Sequence, residues 1–149
     1  MTVKTAYHQA LRYLSKTPKT IRQMAEYLAD KGYDANIIEQ IISQLVSLNY
    51  LNDRAFAENY IESRIRHKPK SVFALGYELR QKGIDPALSE QLLTDYNDME
   101  LALKAVDRKR QTWKTLSESE RRKKMTNYLR YRGFDYGVCQ AVCRFFKQS

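Results

Sequence analysis

Histidine and cysteine are almost missing from this chain, with two of each among 149 residues. His8 and His67 lie far apart, and Cys139 and Cys143 sit four apart on one expected helix, so no metal-ligand set and no nucleophile–histidine motif can be assembled. The cysteines read instead as small reduced core residues. Glycine (five) and proline (three) are also sparse, which leaves few turns for a sheet and predicts an all-α protein. No apolar run approaches the roughly twenty residues that span a bilayer. The opening Met1-Thr2-Val3-Lys4-Thr5-Ala6-Tyr7-His8 does not read as a signal peptide, so a cytoplasmic protein with no membrane segment is expected. A glycine-rich phosphate loop is lacking as well, and the expectation is a protein that is not an enzyme and needs no cofactor or metal.

What the chain does contain is one phrase three times. Leu28-Ala29-Asp30-Lys31-Gly32-Tyr33-Asp34, Leu79-Arg80-Gln81-Lys82-Gly83-Ile84-Asp85 and Leu129-Arg130-Tyr131-Arg132-Gly133-Phe134-Asp135 share leucine, a base, glycine, a large apolar residue and aspartate, with the glycines 51 and 50 residues apart. A period of that size marks a tandem helical repeat. Glycine can close a helix in the left-handed conformation, the base before it meets the negative helix end, and the aspartate can cap the next helix. Behind each aspartate, Ile37, Ile41 and Ile42, then Leu88, Leu92 and Leu93, then Val138, Val142 and Cys143 recur at one-face helical offsets.

Further helices are expected ahead of each phrase, over Ala6–Ser15, Asp53–Arg66 and Asp98–Trp113, with Thr20, Ser71, Asn97 and Ser117 as caps. Three helices per unit gives nine. The expected organisation is three tandem, helix-turn-helix-like repeats at 1–50, 51–97 and 98–149, forming an elongated, curved array. Units of about fifty residues are near the lower limit for folding alone, so neighbours should share interfaces.

Net charge is +9, divided as +2, 0 and +7 among the three repeats. The third carries Arg108-Lys109-Arg110, Arg121-Arg122-Lys123-Lys124, Arg130 and Arg132; the second carries Arg64, Arg66, Lys68, Lys70, Arg80 and Lys82. These fifteen cations are the candidate contacts for an acidic partner, protein or nucleic acid. A DNA-reading helix-turn-helix places bases on the helix after the turn. Here that helix has none over 35–48 or 86–96 and only Arg144 over 136–146, which weakens the sequence-specific reading. Eleven tyrosines could stack on bases, but Tyr27, Tyr33, Tyr60, Tyr77 and Tyr128 fall on or beside expected packing faces.

Tyr50-Leu51-Asn52-Asp53-Arg54-Ala55-Phe56-Ala57, then Tyr60 and Arg64, then Glu78-Leu79-Arg80-Gln81-Lys82-Gly83-Ile84, resembles the central signature of the RecX family, regulators of the RecA recombinase. Leu129-Arg130-Tyr131-Arg132-Gly133-Phe134 resembles that family's C-terminal repeat, and Ser71-Val72 stands where the family often shows Gly-Pro. The resemblance implies a helical protein of DNA repair and the SOS response that lies in the groove of the RecA filament on DNA. It implies lowered strand exchange, ATP hydrolysis and co-protease activity, by a chain expected to act as a monomer. The alternative is a tandem helical module that binds single- or double-stranded DNA without RecA.

Overall fold

Gly32, Gly83 and Gly133 adopt φ angles of 93°, 99° and 92°, the left-handed conformation that each repeated phrase requires. The computed structural model describes residues 2–147; the outer limits of the first and third repeats, Met1 and Ser149, lie outside them. Nine α-helices occur among the described residues: α1 (Val3–Leu14), α2 (Ile21–Asp30), α3 (Ala35–Ser47), α4 (Asp53–His67), α5 (Val72–Gln81), α6 (Pro86–Leu93), α7 (Asp98–Asp107), α8 (Glu118–Tyr131) and α9 (Tyr136–Lys147). One 3-10 turn, Arg110–Trp113, lies between α7 and α8, and no strand is present among these residues. The fold is all-α, three three-helix repeats in tandem.

The phrase is a helix-ending motif in which the leucine, the glycine, the apolar residue and the aspartate each have a task. Amides of Tyr33, Ile84 and Phe134 donate back to the carbonyls of Leu28, Leu79 and Leu129 at 3.2, 3.0 and 3.1 Å. This six-to-one bond brings the apolar residue behind the glycine against the leucine of the last turn. All six side chains are buried. Asp34, Asp85 and Asp135 then cap α3, α6 and α9, accepting from Ile37, Ala87 and Val138 amides at 2.9, 2.9 and 2.8 Å.

Contacts divide the chain into two compact units, one running to Asn59 with Leu79–Ser89, the other holding Tyr60–Glu78 with Glu90 onward. In the first, Ala6, Ala10, Met24, Leu28, Tyr33, Ile41, Leu45 and Leu51 form the core of the α1–α3 repeat. In the second, Leu101, Ala102, Ala105, Val106, Met125, Leu129, Phe134, Cys139, Val142 and Cys143 form that of the α7–α9 repeat. The division falls inside the central repeat: Ala57, Leu79 and Ile84 are buried in one unit, Ile61, Leu75 and Leu93 in the other.

Each unit contains the same junction between consecutive repeats. In the first, Asp53, the opening residue of α4, accepts the amide of Ile21, the opening residue of α2, at 2.9 Å. In the second, Asp98 opens α7 and accepts the amide of Val72, which opens α5, at 2.8 Å. The neighbouring residues Asn52 and Asn97 meanwhile cap their own helices, taking the amides of Ala55 and Glu100. An Asn-Asp doublet therefore caps two helices at once, its own and that of the preceding repeat.

The turn glycine completes the joint. A Cβ on Gly83 would lie 2.6 Å from Arg22 Cβ, and one on Gly133 would lie 2.6 Å from Ser71 Oγ. The carbonyl just before the glycine is bonded to the same helix start: Thr20 Oγ1 donates to Lys82 O at 2.5 Å, and Ser71 N–H donates to Arg132 O at 3.1 Å. Thr20 and Ser71 are completely buried, which their bonds permit.

One expected helix is broken. The stretch Asp98–Trp113 is helical only to Asp107 before the 3-10 turn. Lys109 N–H donates to Val106 O at 2.8 Å and Thr112 N–H to Lys109 O at 3.0 Å, three-residue bonds in place of helical ones, and the Thr112 hydroxyl donates to the same Lys109 carbonyl at 2.7 Å; Arg108 donates to the backbone carbonyls of Arg66 and His67.

Candidate partner-binding surface

The N-terminal half of α8 presents the densest charge. Ser117 caps it, accepting the Glu120 amide at 3.2 Å, and Glu118 and Glu120 in the first turn complement the helix dipole. Arg121, Arg122, Lys123 and Lys124 follow, all exposed. At 100° per residue four consecutive positions cover most of the helix circumference. Their common exposure means that this part of α8 stands clear of the core, which α8 first enters at Met125.

Beside it lies a cavity of about 530 Å³, lined by Arg110, Trp113, Lys114, Arg121, Arg122 and Lys147 together with Met125, Cys143 and Phe146. Arg110 stacks over the Phe146 ring at 4.1 Å, and Trp113 meets Tyr128 edge-on at 5.6 Å. Glu118 is the one carboxylate of the lining and is paired with Lys147 at 3.2 Å. The lining thus combines apolar rings with an excess of guanidinium and ammonium groups, a combination suited to an anion carrying an aromatic or apolar body.

Several of the sequence-derived cations are engaged within the fold. Glu78 on α5 accepts from Lys70 Nζ at 2.5 Å and from the Tyr60 hydroxyl, while Arg64 Nε lies 3.3 Å from its carboxylate and donates to the Tyr60 oxygen at 3.2 Å. Burial works to raise the Glu78 pKa, but bonds from Lys70 and Tyr60 and the two positive charges outweigh it and hold the carboxyl below its ordinary value. Burial and the bond to Glu78 push Tyr60 up, and the bond to Tyr60 raises Arg64. Arg132 stacks on Tyr128 at 4.3 Å, with Nε and Nη1 buried and without a hydrogen-bond partner.

The outward-facing candidates are Arg66, Lys68, Lys109, Arg110, the four-base run and Arg130 in the second unit, and Arg80 in the first; Lys82, also in the first, is partly buried. Charge counting shows sign but not partners, so it could not separate Arg64 and Lys70, locked on Glu78, from Arg66 and Lys68. Asp53 and Asp98 were equally hidden. Their signal is the doublet Asn52-Asp53 repeated as Asn97-Asp98.

The aromatic expectation divides. Tyr33 is buried, Tyr27 and Tyr128 pack against the cores, and Tyr60 serves the Glu78 network. Tyr77 is a correction: it is 54% exposed, because α5 turns Leu75 and Leu79 inward and the position between them outward. Phe73 and Tyr131 are exposed too. Cys139 and Cys143 are buried core residues, and burial raises the Cys139 thiol pKa.

With this geometry, the chain matches three consecutive family models: the first three-helix domain of RecX over residues 6–45, the second over 52–93 and the third over 95–143. It is 34% identical over 139 residues to the regulatory protein RecX of Chlorobium limicola, covering 93% of this chain and 87% of that one. The regulatory protein RecX of Legionella pneumophila is 33% identical over 146 residues, covering 97% and 96%. The crystal structure of RecX from Lactobacillus salivarius has the same fold, with a TM-score of 0.82 at 23% identity over 99% of this chain and 97% of that one. Three family domains in order and relatives along nearly the whole length place the chain in the RecX family of regulatory proteins.

Proposed function

We propose that this chain binds the RecA filament on DNA and restrains it, lowering recombinase, ATPase and co-protease activity without chemistry of its own. It acts as a cytoplasmic monomer, each of its three repeats serving as one domain. Membership of a regulatory family supports this reading, and the observation that carries it is the exposed run Arg121-Arg122-Lys123-Lys124 on a helix that stands clear of its core. Such charge is expensive in self-repulsion and speeds encounter with an acidic polymer. No helix among the described residues is long and apolar enough to cross a membrane.

The second reading, a nucleic-acid module that acts without the recombinase, is favoured by the cationic cavity with Trp113 and Phe146 in its lining. Fluorescence anisotropy on labelled single-stranded DNA, bare or coated with RecA, separates the two. The regulator reading expects tighter binding to the coated strand and its loss when the four bases become glutamates. Equal, strongly salt-dependent affinity for bare and coated DNA would favour the module instead.

A further inference from the structure

Counting back from the three turn glycines, the second helices of the repeats coincide. Met24 and Leu28, Leu75 and Leu79, and Met125 and Leu129 occupy equal steps and are all buried. The same count places Arg22, Phe73 and Lys123 at one outer position and Glu26, Tyr77 and Asn127 at the next, all exposed. In α2 this pair is an ion pair, Arg22 Nε to Glu26 Oε1 at 3.4 Å. In α8 it is a lysine and an asparagine. Only α5 places two aromatic rings there, 79% and 54% exposed. The fold has no use for apolar groups at these positions, since both sister helices fill them with polar ones.

A third ring joins them. Two residues before the glycines stand Asp30, Gln81 and Tyr131, and Tyr131 is 87% exposed. In the first junction Arg22 Nη2 reaches Gln81 O at 2.5 Å, so the frame makes these two positions neighbours. In the second junction the same positions hold Phe73 and Tyr131, and the Ser71-to-Arg132 bond keeps their segments together. Three large rings are thus exposed to water around one junction, the mark of an interaction site.

Surrounding charge indicates what fits. Arg66, Lys68 and Arg130, on the adjoining segments, are exposed, whereas Glu78 is held by Lys70 and Asp98 by the Val72 amide. Three exposed cations against one exposed carboxylate, Glu62 on α4, leave the local field positive. We infer that Phe73, Tyr77 and Tyr131 form a protein-docking patch that seats on an apolar socket rimmed by carboxylates on a subunit of the recombinase filament. The inference rests on the regulator reading above and adds an apolar contact to that of its basic run. Phenylalanine and tyrosine one helical turn apart are the anchor spacing of a helix laid in a groove, and such rings carry most of the energy of a protein interface. Base stacking fits less well: the four-base run lies at the other half of α8, Lys124 being about 10 Å along the helix from Tyr131.

The sister repeat supplies the test. A variant with Phe73→Arg and Tyr77→Glu writes the outer pair of α2 onto α5, and Tyr131→Gln writes in the residue of the first junction. Both should keep far-UV helicity and melt within about 3 °C of the parent. Affinity for RecA-coated single-stranded DNA should fall at least ~10-fold, while binding to bare DNA should change by less than about twofold. Should the double variant lose helicity, Tyr131→Gln and Phe73→Arg alone carry the same expectation. Unchanged filament affinity in folded variants overturns the patch and leaves the regulator reading standing; absence of filament binding by the parent overturns both. Equal losses on bare DNA would mean that the rings stack on bases, and a parent dimer dissociated by the substitutions would mean that the patch seats a second copy. Either result overturns docking on the filament.

Discussion

The Asp98 carboxylate holds the first amide of α5, Val72 N–H, at 2.8 Å, and Asp53 does the same for Ile21 at the start of α2. A helix start leaves several amides without intrahelical partners, and a carboxylate there also meets the positive end of the dipole. Because donor and acceptor belong to consecutive repeats, each bond caps a helix and joins two repeats at once. Asp98→Ala should therefore cost about 1–2 kcal/mol in urea denaturation, and Asp98→Asn less, since the amide oxygen can still accept.

Gly83 and Gly133 answer to two constraints. Each holds a positive φ, and each approaches the preceding repeat closely enough that a Cβ would collide, with Arg22 Cβ at 2.6 Å or with Ser71 Oγ at 2.6 Å and Ala74 Cβ at 2.9 Å. Alanine at either position should cost roughly 2 kcal/mol or more, the sum of left-handed strain and a displaced junction. Thermal melting of the two variants beside the parent measures it.

The Glu78 network sets a dependence on pH. The folded carboxyl titrates below its unfolded value, so its contribution is complete above the unfolded pKa of about 4.5 and is lost as pH falls through the folded one. Tyr60 is raised, so its contribution holds below about pH 10 and is lost as pH rises through its folded pKa. Glu78→Gln should cost about 1 kcal/mol at neutral pH. In urea denaturation across pH 3 to 7 it should also flatten the acid limb relative to the parent.

Cys139 is fully buried and its thiol is raised in pKa, while Cys143 packs beside it against Met125. Cys139 should react with iodoacetamide far more slowly than a free thiol at pH 8, and at the ordinary rate once the third repeat is unfolded in urea, whereas Cys143, in the cavity lining, should react before it. Mass spectrometry of the time course reads both sites.

The helix-ending phrase was legible because its parts act within six residues of one another. Leu129, Gly133, Phe134 and Asp135 specify a bond pattern that no distant group has to complete. Junctions were not legible in this way. Asp53 and Asp98 look like ordinary first-turn acids until the amide that each accepts, 32 or 26 residues earlier, is in place. The break after Asp107 is hidden as well: the contacts that accompany it, Arg108 to the carbonyls at the end of α4, join residues more than forty apart. Tyr77 is expected on or beside a packing face, but the helical period that buries Leu75 and Leu79 turns it out. Among the cations the sequence shows sign and density, which suffices for Arg121 to Lys124. It does not show that Glu78 has already engaged Arg64 and Lys70.

ATP turnover by RecA on single-stranded DNA, followed while the purified chain is titrated in, decides the regulatory role most directly. Turnover should drop at well below one chain per recombinase subunit, and the drop should weaken when Arg121, Arg122, Lys123 and Lys124 are reversed to glutamate, with helicity and melting nearly unchanged. Turnover that stays constant at every ratio through and beyond equimolar would contradict it.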